Sequence, residues 1–200
     1  MGNDIKITIL GDICPQYARN SFDMNKPESV FNNVLNLLKT SDLNIANLES
    51  PAIEMPSPIK KTGPVLSSKE EDIKLLRDSH ISVLSLANNH INDHGAKGIL
   101  KTIEACIDNK IHYVGAGENL DAAQKPLIIN VKNKKIGIIS FAESEYNVAG
   151  KTKPGANPYD PLESYDDVRE LSIDCDYTIV IFHGGIEHYE YPSPLLKKRC

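Results

Sequence analysis

Apolar and polar positions along the chain follow two periods. Residues 5–11 (IKITILG) are β-branched and apolar on both parities, the pattern of a strand buried on both faces of a sheet. Val30, Phe31, Val34, Leu35, Leu37 and Leu38 fall at helical spacing and predict a helix over 28–39. Residues 43–48 (LNIANL) read as a second strand, and Ser68 with Glu71 three positions later is a capping-box signature for a helix running to about residue 78. Residues 81–86 (ISVLSL) predict a third strand. Beyond a polar loop beginning at Asn88, Ile99, Leu100, Ile103 and Ile107 predict a helix over 96–109 that leads into a strand at 111–114. Residues 127–131 and 135–141, separated by Lys132, Asn133 and Lys134, predict an antiparallel hairpin, so the sheet is expected to be mixed. A loop rich in Pro, Gly and Asn fills 150–160. A helix over 162–171 then feeds a seventh strand, 177–182 (YTIVIF), which ends at His183, Gly184 and Gly185.

This alternation predicts one α/β domain over residues 1–200, without internal repeat, low-complexity tract or linker. The last residues begin a further helical stretch where a β-α series ordinarily runs on to its next strand, so the expectation is a domain whose C-terminal part is missing. The 22 basic and 27 acidic residues give a net charge of -5, which argues against a nucleic-acid surface because phosphate backbones need clustered Lys and Arg. No run approaches the roughly 20 apolar residues that span a bilayer, and the first residues read as strand rather than signal peptide. Cys14, Cys106, Cys175 and Cys200 show neither CxxC pairing nor regular spacing, so a disulfide framework or structural zinc site is not expected and a reducing, cytoplasmic setting is.

In open α/β sheets, functional groups collect beyond the carboxyl ends of strands. Four predicted strands end in groups that can bind metal: Asp12 after the first, Glu49 after the second, Asn88, Asn89 and His90 after the third, and His183 after the seventh. Taken singly, Asp12 reads first as a turn former and Glu49 as a solvated loop charge. The stretch LANNHINDHG (86–95) crowds two Asn, two His and an Asp into one short connection; its bland reading is an Asn-rich turn with Asp93 capping the next helix. His183 precedes two glycines, which allow close approach of backbone to a ligand, and then Glu187 and His188. Together these side chains form the mixed oxygen and nitrogen set that suits Mn, Fe or Zn better than Ca, and a bridging carboxylate can hold two such ions about 3.5–4 Å apart. Weaker candidates are Lys60 and Lys61, for an anionic substrate; the Gly115/Gly117 turn, which lacks the third glycine of a dinucleotide fingerprint; and Glu143, Tyr146, Tyr189 and Tyr191, as cleft residues. His80 and His112 read as structural.

The series GDI (11–13), NLESP (47–51), LANNHINDHG, VGAGENLDAAQKP (114–126), KIGIISF (135–141) and HGGIEHYEYPSP (183–194) resembles the CapA family of bacterial capsule or poly-gamma-glutamate biosynthesis proteins, nearly end to end. The resemblance implies a metallophosphoesterase-like sandwich of two mixed sheets flanked by helices, with a site for two divalent ions at one rim. It implies Asp12, Glu49, Asn89 and His183 as metal ligands, His90 as the group serving the leaving oxygen, and Asp93 as the carboxylate that orients His90. Two departures stand out: Cys14 occupies the His position of the family's Asp-x-His motif, and the later His-x-His pair has no match, so one ion or none is also open for this chain. The implied function is a phosphoesterase-type hydrolase of capsule or exopolymer biosynthesis acting on an anionic small molecule or polymer. The alternative is a noncatalytic accessory, peripheral to a membrane-bound polymer synthase. A homo-oligomer or a partner chain at an open sheet edge is a further expectation.

Overall fold

A computed structural model of the chain describes residues 4–186 and 190–199. The first sheet holds β1 (Ile7–Ile13), β2 (Leu43–Leu48), β3 (Val83–Ser85) and β4 (His112–Val114), in that order and parallel at every pairing. Between β1 and β2 come α1 (Pro15–Ala18), α2 (Pro27–Phe31) and α3 (Val34–Thr40). α4 (Glu70–Asp78) joins β2 to β3, and α5 (Gly95–Asp108) joins β3 to β4. The chain then passes through β5 (Ala116–Gly117) and α6 (Leu120–Gln124) to a hairpin of β6 (Leu127–Val131) and β7 (Lys134–Ala142). β8 (Gly155–Ala156) pairs with β5; α7 (Glu163–Asp174) leads into β9 (Tyr177–His183), which lies parallel to β7, and α8 (Pro194–Arg199) follows.

The second main sheet therefore runs β6-β7-β9 and is mixed, whereas the first is wholly parallel. Period-two alternation explains how they stack. Leu43 and Ile45 of β2, Val83 of β3 and Val114 of β4 face Ile136 and Ile138 of β7 with Ile179 and Ile181 of β9, forming the core between the sheets. The opposite parity, Ala46, Leu48, Leu84 and Leu86, packs against Ile73 and Leu76 of α4 and Ile99, Ala105 and Cys106 of α5. On the far side of the second sheet, Ile139 and Phe141 meet Val168 and Leu171 of α7. The result is helix, sheet, sheet, helix.

Several expected elements differ in detail. The helix expected over 28–39 is two, because Asn32 adopts φ 43° between them. The strand at 81–86 pairs only over β3. α4 is capped at Lys69, whose N–H donates to Asp72 Oδ2 at 2.7 Å, rather than by Ser68 with Glu71; Ser68 is instead buried against Ser50. β1 is not buried on both faces: it is the edge of its sheet, and Ile9 is 61% exposed. Among the described residues, no helix is long and apolar enough to cross a membrane.

Gly115 shows why the glycine turn is there. It sits at φ 86°, and a Cβ would lie 2.7 Å from Ala87 Cβ and 2.8 Å from Ser140 Cβ, where the two sheets touch. Gly117 packs as closely on Ala122 and Ala123 of α6, so both glycines serve packing.

Candidate metal centre

Because β1, β2 and β3 are parallel, their carboxyl ends share a rim, and His183 at the end of β9 comes to that rim from the second sheet. A register shift between Ile9 and Asp12 bulges β1 and sets Asp12 opposite Asn47. One ligand atom each from Asp12, Glu49 and His183 lies within 4.8 Å of the others. Asn89, in the loop after β3, places Oδ1 3.1 Å from His183 Nε2 and adds an amide oxygen. His183 lies between the two acids, its Nδ1 3.6 Å from Asp12 Oδ1 and its Nε2 3.7 Å from Glu49 Oε1. These are ion-pair separations, too long for good hydrogen bonds.

The electrostatics follow from that crowding. Burial by itself pushes the His183 imidazolium toward losing its proton, but contact with Asp12 and the charges of Glu49 and Glu145 outweigh it, so its pKa is raised. The same contact with His183, ahead of a smaller opposing effect of burial and aided by Asn47, lowers Asp12. Two carboxylates, an imidazole and an amide oxygen on separate elements are a donor set that suits a divalent transition-metal ion. Cys14 is not one of the three residues of this cluster; burial raises the pKa of its thiol, and Ser50 lies beside it.

Asn47, on the face of β2 that alternation gives to Ile45 and Glu49, holds the site together. Its Nδ2 donates to Asp12 Oδ1 at 2.7 Å and lies 3.3 Å from His183 Nδ1, while its Oδ1 accepts from Asn88 Nδ2 at 3.2 Å. Asn88 also donates to the Leu48 carbonyl and accepts the His90 N–H, and Asn147 donates to the Asn88 carbonyl. Neither Asn47 nor Asn147 stood out in the sequence as functional, since every position of β2 is buried and no alternation marks Asn47.

A second group lies beside the first. His90 Nδ1 is 2.7 Å from Asp93 Oδ2, and Asp93 is fully buried. Its carboxylate does not cap α5: Oδ2 also accepts the Leu66 N–H at 2.7 Å, and Oδ1 holds the Lys61 ammonium. Burial opposes the Asp93 charge, but these hydrogen bonds outweigh it and keep the carboxyl below its usual range. Lys61, a weaker candidate for an anionic substrate, is paired with Asp93 with its side chain 4% exposed, its Nζ 5.4 Å from the Tyr146 ring centroid. Lys60 is exposed.

The cluster opens on a cleft of about 1020 Å³ walled by Asp12, Glu49, Asn89 and His183, with Glu143, Glu145 and Tyr191 further along. Glu143 accepts the Gly185 N–H at 3.1 Å, and a Cβ on Gly184 would lie 2.5 Å from Glu143 Cγ, so that glycine admits the acid. His90 and Asp93 are not on the cleft wall. Glu187, His188 and Tyr189 lie outside the described residues. His80 and His112 belong to neither group.

Residues 6–199 match the family model described as bacterial capsule synthesis protein PGA_cap. The capsule biosynthesis protein CapA of Bacillus anthracis is 31% identical over 200 residues, covering 95% of this chain and 49% of that protein. The chain spans about half the length of the curated relatives it matches. Among solved structures, a novel phosphatase from Mycoplasma pneumoniae aligns with a TM-score of 0.51 at 20% identity, over 93% of this chain and 57% of that one. A putative 5′-nucleotidase from Staphylococcus aureus, in complex with alpha-ketoglutarate, aligns with a TM-score of 0.52 at 14% identity, over 95% and 39%. These likenesses show the fold: the chain has the α/β sandwich of those two structures.

Proposed function

The chain belongs to the bacterial capsule synthesis protein family PGA_cap, and we propose that it serves capsule or poly-gamma-glutamate formation as a divalent-metal-dependent phosphoesterase-type hydrolase. The observation that carries this reading is the convergence of Asp12, Glu49, Asn89 and His183 from four strand ends, beside a histidine held by a buried carboxylate. Those four residues would hold the metal. When bound, such ions polarise phosphoryl oxygens and lower the pKa of a water to the physiological range. The remaining work falls to the chain. A Nδ1–H donated to Asp93 orients the His90 ring, whose Nε2, when the ring is protonated, would donate toward a departing oxygen. Glu143 and Glu145 add negative charge to the cleft, so an anionic substrate enters favourably only after cations have neutralised the wall.

A second reading, a noncatalytic partner of a membrane-bound polymer synthase, draws support from the size of the ligand set. Two carboxylates, one imidazole and one amide oxygen supply about the four donors that a single ion takes. Elemental analysis after exposure to Mn, Fe and Zn, combined with aryl phosphate and phosphodiester turnover, separates the two. Near-stoichiometric metal with turnover that His90→Ala abolishes, metal retained, is the expected result. A chain that takes up none of these ions refutes the metalloenzyme; bound metal without turnover supports the accessory.

A further inference from the structure

Lys61 comes from the segment 54–67, which is fastened across the 88–95 loop. The Ile59 N–H donates to the Asp93 carbonyl at 2.9 Å, and the Ser57 N–H and hydroxyl reach His94 Nδ1 and the His94 carbonyl at 3.0 and 3.1 Å. Its base is closed by Ile53 N–H to Ser68 O and Ser68 N–H to Pro51 O. Among the described residues, the segment delivers two of the three groups that hydrogen-bond the Asp93 carboxylate: the Leu66 N–H to Oδ2, and the Lys61 ammonium to Oδ1. The third is His90 Nδ1.

Lys61 Nζ is also 3.3 Å from His90 Nδ1, and this contact competes with Asp93. A lysine can only donate, which would require Nδ1 to be an acceptor; a carboxylate can only accept, which requires Nδ1 to carry the hydrogen. The 2.7 Å contact to Asp93 is the shorter and charge-assisted one, so it decides the tautomer and the ammonium is spent on Oδ1. Without that ammonium, Oδ1 would be a fully buried charged oxygen lacking its donor, and the carboxylate would be free to turn away from the ring.

We propose that Lys61 is a positioning residue: by holding Asp93 Oδ1, it fixes Oδ2 on His90 Nδ1 and so sets the orientation of the ring that the reaction uses. This rests on the phosphoesterase reading for its purpose but not for its test. The ¹⁵N-labelled full chain, without metal or substrate, should show a slowly exchanging Nδ1 proton on His90, identified by its loss in His90→Gln. Lys61→Met should abolish or broaden that resonance while manganese affinity stays within about twofold, because Lys61 touches no member of the metal cluster; Lys61→Arg should restore it. Where a wild-type assay is active, kcat in Lys61→Met should fall by on the order of 10- to 100-fold at little-changed KM, the usual effect of losing a group that orients a functional residue. If Lys61→Met fails to fold, Lys61→Gln, a weaker donor without charge, takes its place with the same expectation. An unchanged Nδ1 resonance in the folded variant overturns the proposal. An inactive wild-type chain with the expected ring spectra would sink the phosphoesterase reading alone.

Discussion

Asp12, Glu49, Asn89 and His183 were legible because each is a ligand-capable residue type at the end of a strand that hydrophobic period marks out. Asn47 was not, and Lys61 only as a weaker candidate for an anionic substrate: an asparagine in a strand and a lysine in a loop carry ordinary expectations, and only the third dimension shows one bonded to Asp12 and the other buried on Asp93. Asn47 leads to a sharp expectation. Asn47→Leu keeps the volume and removes the amide that fixes Asp12, so manganese affinity by calorimetry should drop roughly 10- to 100-fold with the melting temperature little changed; wild-type affinity would show that Asp12 needs no support. His183 gives a pH dependence. Its native pKa is raised above 6.5, so in the metal-free protein its protonated form contributes stability that is complete below pH 6.5 and is lost as pH rises through the native value. Metal binding must displace that proton, and affinity should therefore climb with pH over the same window. A pH-independent affinity between pH 6 and 9 would remove His183 from the ligand set.

At the scale of elements, period reported which segments are strands and helices but not how they end or turn. The apolar positions of α2 and α3 read as one helix because a single residue at positive φ leaves the spacing on either side intact. The bulge in β1 is invisible for a similar reason: an extra residue in an apolar run changes the register without changing the composition. Glycines gave more away, since a turn glycine after a strand is a local signal, but its reason, close contact between two sheets, is not local. Gly115→Ala must both occupy φ 86° and push against Ala87 and Ser140, whereas Gly95→Ala, at φ 64° with its nearest neighbour at 3.7 Å, meets backbone strain alone. The first should destabilise by on the order of 2–4 kcal/mol and the second by about 1–2 kcal/mol. Urea midpoints read the difference; equal losses would mean that the sheets part easily at Gly115.

At the scale of the whole molecule, the strand and helix order by itself is equally compatible with one mixed sheet, and the two-sheet sandwich was legible only through the family resemblance. Hydrophobic runs say that a strand is buried, not which sheet it joins. The sandwich leaves β1 at the edge of one sheet and β9 at the edge of the other, among the described residues, with a groove of about 170 Å³ between them walled by Ile9, Asp12, Ile45, Ile181 and His183. Ile9 shares the parity of Ile5 and Ile7, which reach the inter-sheet core, yet it is 61% exposed, and Val180 on β9 is 48% exposed. Two apolar edge strands on one flank favour pairing with another strand. The 200-residue chain on its own is therefore expected to self-associate with rising concentration in sedimentation velocity. Ile9→Lys with Val180→Lys should shift it toward monomer without lowering its melting temperature, because both side chains already face solvent and a charge on an edge strand blocks pairing without disturbing the core. A wild-type chain that stays monomeric across the same range would show that the flank is closed to other strands, and a variant that unfolds would show that these side chains belong to the core after all.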